Sequence, residues 1–203
     1  HQLLQEWSSD LARQTPAIDC FLGDIYSGLQ AGSFNEEQRT FAHKHLRIIS
    51  GLYGILRALD GIYPYRLEMA YRLPDDRYQN LYSFWGDSLA QTLHTEKQFV
   101  NLLSDEYAKA VVPFLEGATI VAPRFLTLDT KTNQPKFVVV HAKIARGACA
   151  HWLITNQVQD MAQLRNFNEL GYQYNAELST PDQPVFVTTE FGGLGLSVRL
   201  TDK

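Results

Sequence analysis

The stretch ATIVAPRFLTLDTKTNQPKFVVVHAKIARGACAHWLITNQ, residues 118–157, decides the fold. Two apolar runs, 118–128 and 136–141, flank a Thr-Asn-Gln-Pro turn, which is the mark of a β-hairpin. Helical spacing takes over from about Lys143 to Gln157, and a shorter helix is expected over 161–165. Further on, 172–176 and 185–189 flank a Pro-Asp-Gln-Pro turn and predict a second hairpin. Hairpins interleaved with separate helices give an α+β fold, a mixed or antiparallel sheet with helices around it, rather than a doubly wound parallel sheet.

Upstream, residues 1–14 read as the tail of a helix and 18–22 as a short strand running into a Gly-Asp turn. Ser33 with Glu36 has capping-box spacing, and Asn35 with Gln38 is a second option for the same helix. Phe41, His45 and Ile48 recur at helical spacing up to Ser50. Gly51 and Gly54 then interrupt the chain before a second helical piece over 55–59. Pro64 favours extended geometry through 65–71. Leu81, Phe84, Trp85, Leu89 and Leu93 predict an amphipathic helix. Residues 99–103 read as a strand, with Ser104 as N-cap of a helix through Val112. The GGLGLS stretch (192–197) reads as a flexible end. With no repeat and no linker, 1–203 is expected to be a single domain.

Composition limits the function classes. The 203 residues are 45% hydrophobic and 20% charged, enough for a sizeable core and against global disorder. No apolar run approaches the roughly 18 residues of a membrane span, so no membrane partner is expected. Cys20 and Cys149 form neither a CxxC pair nor a disulfide framework, and read as small core residues of a reducing cytoplasm. A net charge of −4 argues against indiscriminate nucleic-acid binding, but the charges are segregated. Up to Gln38, six acids face Arg13 alone. From Arg39 to Arg77, Lys44 and six arginines oppose Asp60, Glu68, Asp75 and Asp76. Between Lys136 and His151 there are three cations and no acid. A polyanion would dock on these last two segments.

Three segments are candidates for chemistry. In residues 45–57, apolar helix, glycine turn and apolar helix outline a helix-hairpin-helix. Its exposed N–H groups and positive helix end would hold a phosphate without reading a base, with Lys44, Arg47 and Arg57 at the flanks. An ordinary helical hairpin stopped by glycine is the competing reading. In residues 141–147, Lys143 and Arg146 share a helix face with Gly147 and Ala150, opposite the apolar Ala145, Ala148, Cys149 and Trp152. This face reads either as an anion-binding surface or as a solvated helix side. In residues 63–69, Arg66 and Glu68 point to one side of an extended strand and Tyr65, Leu67 and Met69 to the other. They form either a buried ion pair or an acid–base group beside an anion-positioning arginine. Ser104 and Glu106 read as helix-start residues. His43 and His45 diverge on a helix and cannot share a metal. Walker A, GxGxxG, GxSxG and HExxH patterns do not occur, so neither a metal nor a cofactor is expected.

The blocks GDIYSGLQA (23–31), HLRIISGLYGILRALD (45–60), YPYRLEM (63–69), FWGD (84–87), NLLSDEYAKAV (101–111), HAKIARG (141–147) and GY (171–172) occur in the order and spacing of the YaaA family, also known as UPF0246. The chain resembles that family over nearly its whole length. The resemblance implies a bacterial cytoplasmic protein of the peroxide-stress response, with an α+β fold that sets a helix-hairpin-helix beside a basic cleft. It also implies binding to duplex, bubble or damaged DNA, in protection against oxidative damage. By position the hairpin falls on Ser50, Gly51, Leu52, Tyr53 and Gly54, and the cleft cations on Arg47, Arg57, Lys143 and Arg146. Leu22, Ala58 and His151 stand where family members usually carry lysine, proline and arginine, and the family's N-terminal strand is expected to precede His1. The alternative is an enzyme, lyase-like or acting on a small anion, that uses Arg66, Glu68, Lys143 and Arg146.

Overall fold

The computed structural model of the chain describes residues 14–74 and 77–193. The helix expected over 1–14, all but its last residue, and most of the GGLGLS stretch lie outside these. In chain order come β1 (Thr15–Pro16), α1 (Ala17–Cys20), α2 (Asp24–Leu29), α3 (Glu36–His45), β2 (Arg47–Ser50), β3 (Gly54–Arg57) and β4 (Gly61–Ile62). Next are α4 (Leu81–Trp85), α5 (Ser88–Gln91), β5 (Gln98–Val100), α6 (Asp105–Ala108), β6 (Thr119–Val121), β7 (Arg124–Leu128) and β8 (Pro135–Lys136). The long α7 (Val139–Thr155) precedes β9 (Gln173–Asn175) and β10 (Val185–Thr188). Short 3-10 turns fill several connections, among them Met161–Asn166. The α+β class is as the sequence predicts.

Packing divides the chain into two compact units. The first holds the described residues up to Phe21 with Asn35–Thr95 and Ser104–Glu116; the second holds Leu22–Phe34, Glu96–Leu103 and the described residues from Gly117 onward. The second unit carries a four-stranded mixed sheet in the order β8-β7-β10-β9. The second predicted hairpin is there as antiparallel β9–β10, but the first is reduced to the short antiparallel pair β7–β8. Residues 119–121 form β6, which pairs with β5, and 139–141, expected as strand, are the first turn of α7. At the centre β7 and β10 run parallel. One end of α7 to the other supplies the apolar cover. Ala142, Ala145, Ala148 and Cys149 join Phe125, Phe167, Tyr172 and Phe186 in one buried cluster. Burial there raises the Cys149 thiol far above its ordinary range.

Across α7 lies α2, and the crossing is set by two glycines. A Cβ on Gly28 would sit 2.0 Å from the Ile144 carbonyl oxygen, and one on Gly147 would sit 1.8 Å from that of Ile25. Only glycine permits so close a backbone approach. His151 extends the joint: its Nδ1 is 2.8 Å from the carbonyl oxygen of Leu29, at the end of α2, and its ring stacks on Phe34. The GDIYSGLQA and HAKIARG blocks therefore meet as a helix crossing.

The β7–β8 turn is organised by Asp129, whose carboxylate accepts from the Lys131 and Thr132 amides and from the Lys136 ammonium. These donors, Lys136 first, hold its pKa down to about 2. A folded-state pKa below the unfolded one means that the carboxylate favours the fold above the ordinary aspartate range and stops doing so as pH falls towards about 2. Asp129→Asn is thus expected to lower the melting temperature slightly at neutral pH, and the difference from wild type should vanish in a pH series taken down to that value. A difference that is constant with pH would show that the charge is not what holds the turn.

In the first unit, Asn35 and Gln38 form the observed capping box of α3, so the second option is the correct one. The expected strand over 18–22 is instead α1, a single turn whose Ala17 and Ile18 amides donate to the carbonyls of Asp60 and Ala58. The amphipathic helix over 81–93 is broken into α4 and α5 at Gly86, whose φ is +52°. Leu81, Leu89 and Leu93 are buried as expected, whereas Phe84 is largely exposed. The strand at 98–100 and the helix from Asp105 hold, but Ser104 makes no side-chain cap and the helix is one turn long.

Candidate nucleic-acid interface

The largest departure from expectation falls on the glycine segment. α3 ends at His45, and residues 47–50 and 54–57 pair as antiparallel strands in the register Arg47–Arg57, Ile48–Leu56, Ile49–Ile55 and Ser50–Gly54. The turn therefore joins strands, and the two helices of a helix-hairpin-helix are absent at these positions. Local chemistry permits this, and tertiary contacts to the turn decide it. β-branched Ile48, Ile49 and Ile55 fit a pleated strand, and a three-residue loop closed by a positive-φ glycine is a standard hairpin connection. Gly54, at φ +77°, supplies it.

Ser50 is the centre of the turn. Its side chain is only 1% exposed, and Oγ accepts from the Leu52 amide at 3.2 Å and the Tyr53 amide at 2.8 Å. With both lone pairs engaged, the hydroxyl hydrogen is left to donate to Tyr65 Oη, 2.5 Å away. The Leu52 and Tyr53 amides are therefore satisfied internally and do not form the open phosphate cradle expected from the glycines. Neighbours brace the turn further. Trp85 Nε1 donates to the Gly51 carbonyl, the Tyr63 amide donates to Tyr53 Oη, and the Tyr53 and Tyr65 rings meet edge to face. A Cβ on Gly51 would meet the Leu67 carbonyl oxygen at 2.6 Å. Burial raises the Tyr65 pKa, with the Ser50 hydrogen bond working against it, and burial lifts that of Tyr107 to about 12. Both hydroxyls are thus neutral at physiological pH.

Tyr65 and Trp85 were not among the site residues expected from sequence. The signal available was the aromatic YPY run, six residues beyond the second strand, which could have been read as the brace of a glycine turn.

The cations are anchored to different degrees. Arg47 donates from Nη1 to the Lys44 and Leu46 carbonyls and so closes the C-terminal end of α3. Arg57 pairs with Asp60 at 3.2 Å, and 57% of its side chain remains exposed. Because the two arginines are register partners, their side chains leave the same face of the hairpin. Leu52 stands exposed at the hairpin tip.

Arg66 and Glu68 do form an ion pair, at 2.9 Å, but their side chains are 86% and 53% exposed, so it is a surface pair and not a buried one. Hydrogen bonding from Arg66 pulls the Glu68 pKa down and keeps it a carboxylate, a poor proton donor near neutral pH. Glu106, read as a helix-start residue, accepts from the Ala70 amide and ties down the end of this segment. His43 Nδ1 accepts from the Leu59 amide, a structural role.

In the second unit, Lys143 is exposed on α7 and Arg146 is half-buried. Gly147 and Ala150 on the same helix side are buried, Gly147 beneath α2. The floor of small residues expected beneath the cations is therefore a packing surface and not an open one. Among the described residues, no helix is long and apolar enough to cross a membrane.

Blocks 23–31, 45–60, 63–69 and 141–147 thus build an α+β chain with a serine-centred hairpin and a glycine helix crossing. The family model for peroxide stress protein YaaA matches residues 1–178, and the chain belongs to that family. Relatives agree. A UPF0246 protein of Salinispora tropica is 55% identical over 202 residues, covering 100% of this chain and 77% of its own length. A UPF0246 protein of Roseobacter denitrificans is 45% identical over 178 residues, 85% of this chain and 69% of the relative. One of Marinomonas is 43% identical over 192 residues, 92% and 73% respectively.

Proposed function

We propose that this peroxide-stress family member binds duplex or distorted DNA by phosphate contacts, with the β2–β3 hairpin as its main contact element, in protection of DNA during oxidative stress. The observation that carries this reading is the register pair Arg47–Arg57. Like charges directly opposite on a sheet face work against the hairpin. Asp60 offsets part of that repulsion at Arg57, and a phosphate between the two arginines would relieve the rest, with Lys44 close by in the chain. Such contacts position the protein without reading sequence, which suits a protective role. Lys143 and Arg146 of α7 are proposed as further phosphate contacts in the second unit. A general-acid role for Glu68 has no comparable support, since Arg66 holds it ionised.

The test is fluorescence anisotropy with plain duplex, bubble and abasic DNA over a salt series, for wild type, Arg47→Gln, Arg57→Gln and the double variant. Binding is expected to be salt-dependent, and each lost contact should reduce the log–log slope by roughly 0.9. An unchanged slope in the double variant, with its fold intact by circular dichroism, would overturn the assignment to the hairpin.

A further inference from the structure

Next to the hairpin, in the same unit, a row of aromatic rings runs from the turn to the surface. It starts at Trp85, the last residue of α4, which donates from Nε1 to the Gly51 carbonyl. The Trp85 ring lies 3.1 Å from where a Cβ on Gly54 would stand. Phe84 meets Trp85 edge to face at 5.1 Å, and Tyr78 meets Phe84 in the same way at 5.3 Å. The Arg77 guanidinium lies 6.0 Å from the Tyr78 ring centroid. Tyr71 is tied to the same helix, its carbonyl accepting from the Leu81 amide. A single exposed aromatic is ordinary. Here Phe84 is held between two other rings and is still 48% exposed, and Tyr71 is 51% exposed.

Segment 71–87 carries Arg72 and Arg77 against Asp75, Asp76 and Asp87, so it has no excess of positive charge with which to hold phosphates. Its rings offer π faces instead, and unpaired bases are what such faces take when a cationic surface beside them holds the strand. The hairpin supplies those cations. The Arg47–Arg57 pair is three register steps from the Ser50–Gly54 pair at the turn that Trp85 braces, roughly 10 Å along the strands. A DNA strand covers that distance in about three nucleotides at ~3.4 Å each. One strand can therefore leave phosphates on the arginines and bring bases a few positions further on to the rings.

We propose that Phe84 and Tyr71 form a stacking platform for unpaired bases of a DNA strand whose phosphates are held by the hairpin. The proposal rests on the hairpin reading and adds to it the feature that tells distorted DNA from plain duplex. In a duplex every base is already stacked on its neighbours, and the rings have nothing to take up. In a bubble the unpaired bases are free to leave the stack.

The experiment measures anisotropy with a plain duplex and a bubble of equal length, the bubble carrying 2-aminopurine at an unpaired position. Wild type is compared with Tyr71→Ala, Phe84→Ala and Phe84→Trp. Phe84→Ala should weaken bubble binding about fivefold or more, the loss of one base–aromatic stack, and should leave duplex affinity and its salt slope unchanged. Tyr71→Ala should act in the same direction. Phe84→Trp keeps an aromatic face and should retain the preference, together with the quenching of 2-aminopurine that Phe84→Ala loses. The same bubble-to-duplex ratio in wild type and Phe84→Ala, with duplex binding still dependent on Arg47 and Arg57, would overturn the platform and leave the hairpin reading standing. Equal weakening of duplex and bubble by Phe84→Ala would also overturn it, because Phe84 would then act only by bracing the turn through Trp85. Self-association in sedimentation that Phe84→Ala abolishes, with no change in bubble preference, would assign the rings to a second copy of the chain and overturn it likewise. Absence of binding to either DNA by wild type would fail the hairpin reading itself, and the platform with it.

Discussion

Gly147→Ala is expected to destabilise the chain by about 3 kcal/mol or more, at the upper end for overpacking. The added Cβ would lie 1.8 Å from the Ile25 carbonyl oxygen and 2.7 Å from the Leu29 amide nitrogen. Both obstacles are backbone atoms of α2, so no side chain can rotate away to make room. Relief requires α2 to separate from α7, which exposes the small-residue surface between them. For a chain of this length, 3 kcal/mol corresponds to a loss of roughly 6–12 °C in melting temperature. Gly32→Ala is the matched control, because a Cβ there meets nothing within 4 Å. Thermal unfolding followed by circular dichroism compares the two. A Gly147→Ala melting point within a degree or two of the control would mean that the helices do not cross at these glycines.

Ser50→Ala is the second large effect, at about 2–3 kcal/mol, since a buried group with several partners is removed and those partners are left without it. The Leu52 and Tyr53 amides would lose their acceptor and Tyr65 its donor. Ser50→Thr keeps the hydroxyl and fits a strand position, so it should recover part of the loss. Denaturant unfolding of the three proteins measures both. Equal stability of Ser50→Ala and wild type would show that the turn does not depend on the serine.

How far the sequence could be read depended on the length of each signal. Most of α7 was legible from periodicity, although its first turn from Val139 was read as the end of a strand, and the two turns of the second unit were each marked by proline. The stretch 47–57 was not. Two apolar runs of four residues suit a strand or a helix equally, and the preceding helix, ending at His45, runs straight into the first of them. What decides the matter is tertiary: Ser50 bonding to Tyr65, and Trp85 to Gly51. On α7, Lys143 and Arg146 were placed correctly on one face. That Gly147 beside them is covered could not be read from one helix, because the cover comes from α2, over a hundred residues earlier. Arg66 and Glu68 were rightly paired, but sequence spacing carried no information on their exposure.

The most direct test of the hairpin reading is an amide NMR titration of the chain with a short DNA duplex, preceded by Cα and Cβ shift assignment. Strand-like shifts are expected at 47–50 and 54–57, with DNA-dependent changes centred on Arg47, Leu52 and Arg57. Helical shifts in those segments, or DNA-dependent changes confined to other residues, would contradict it.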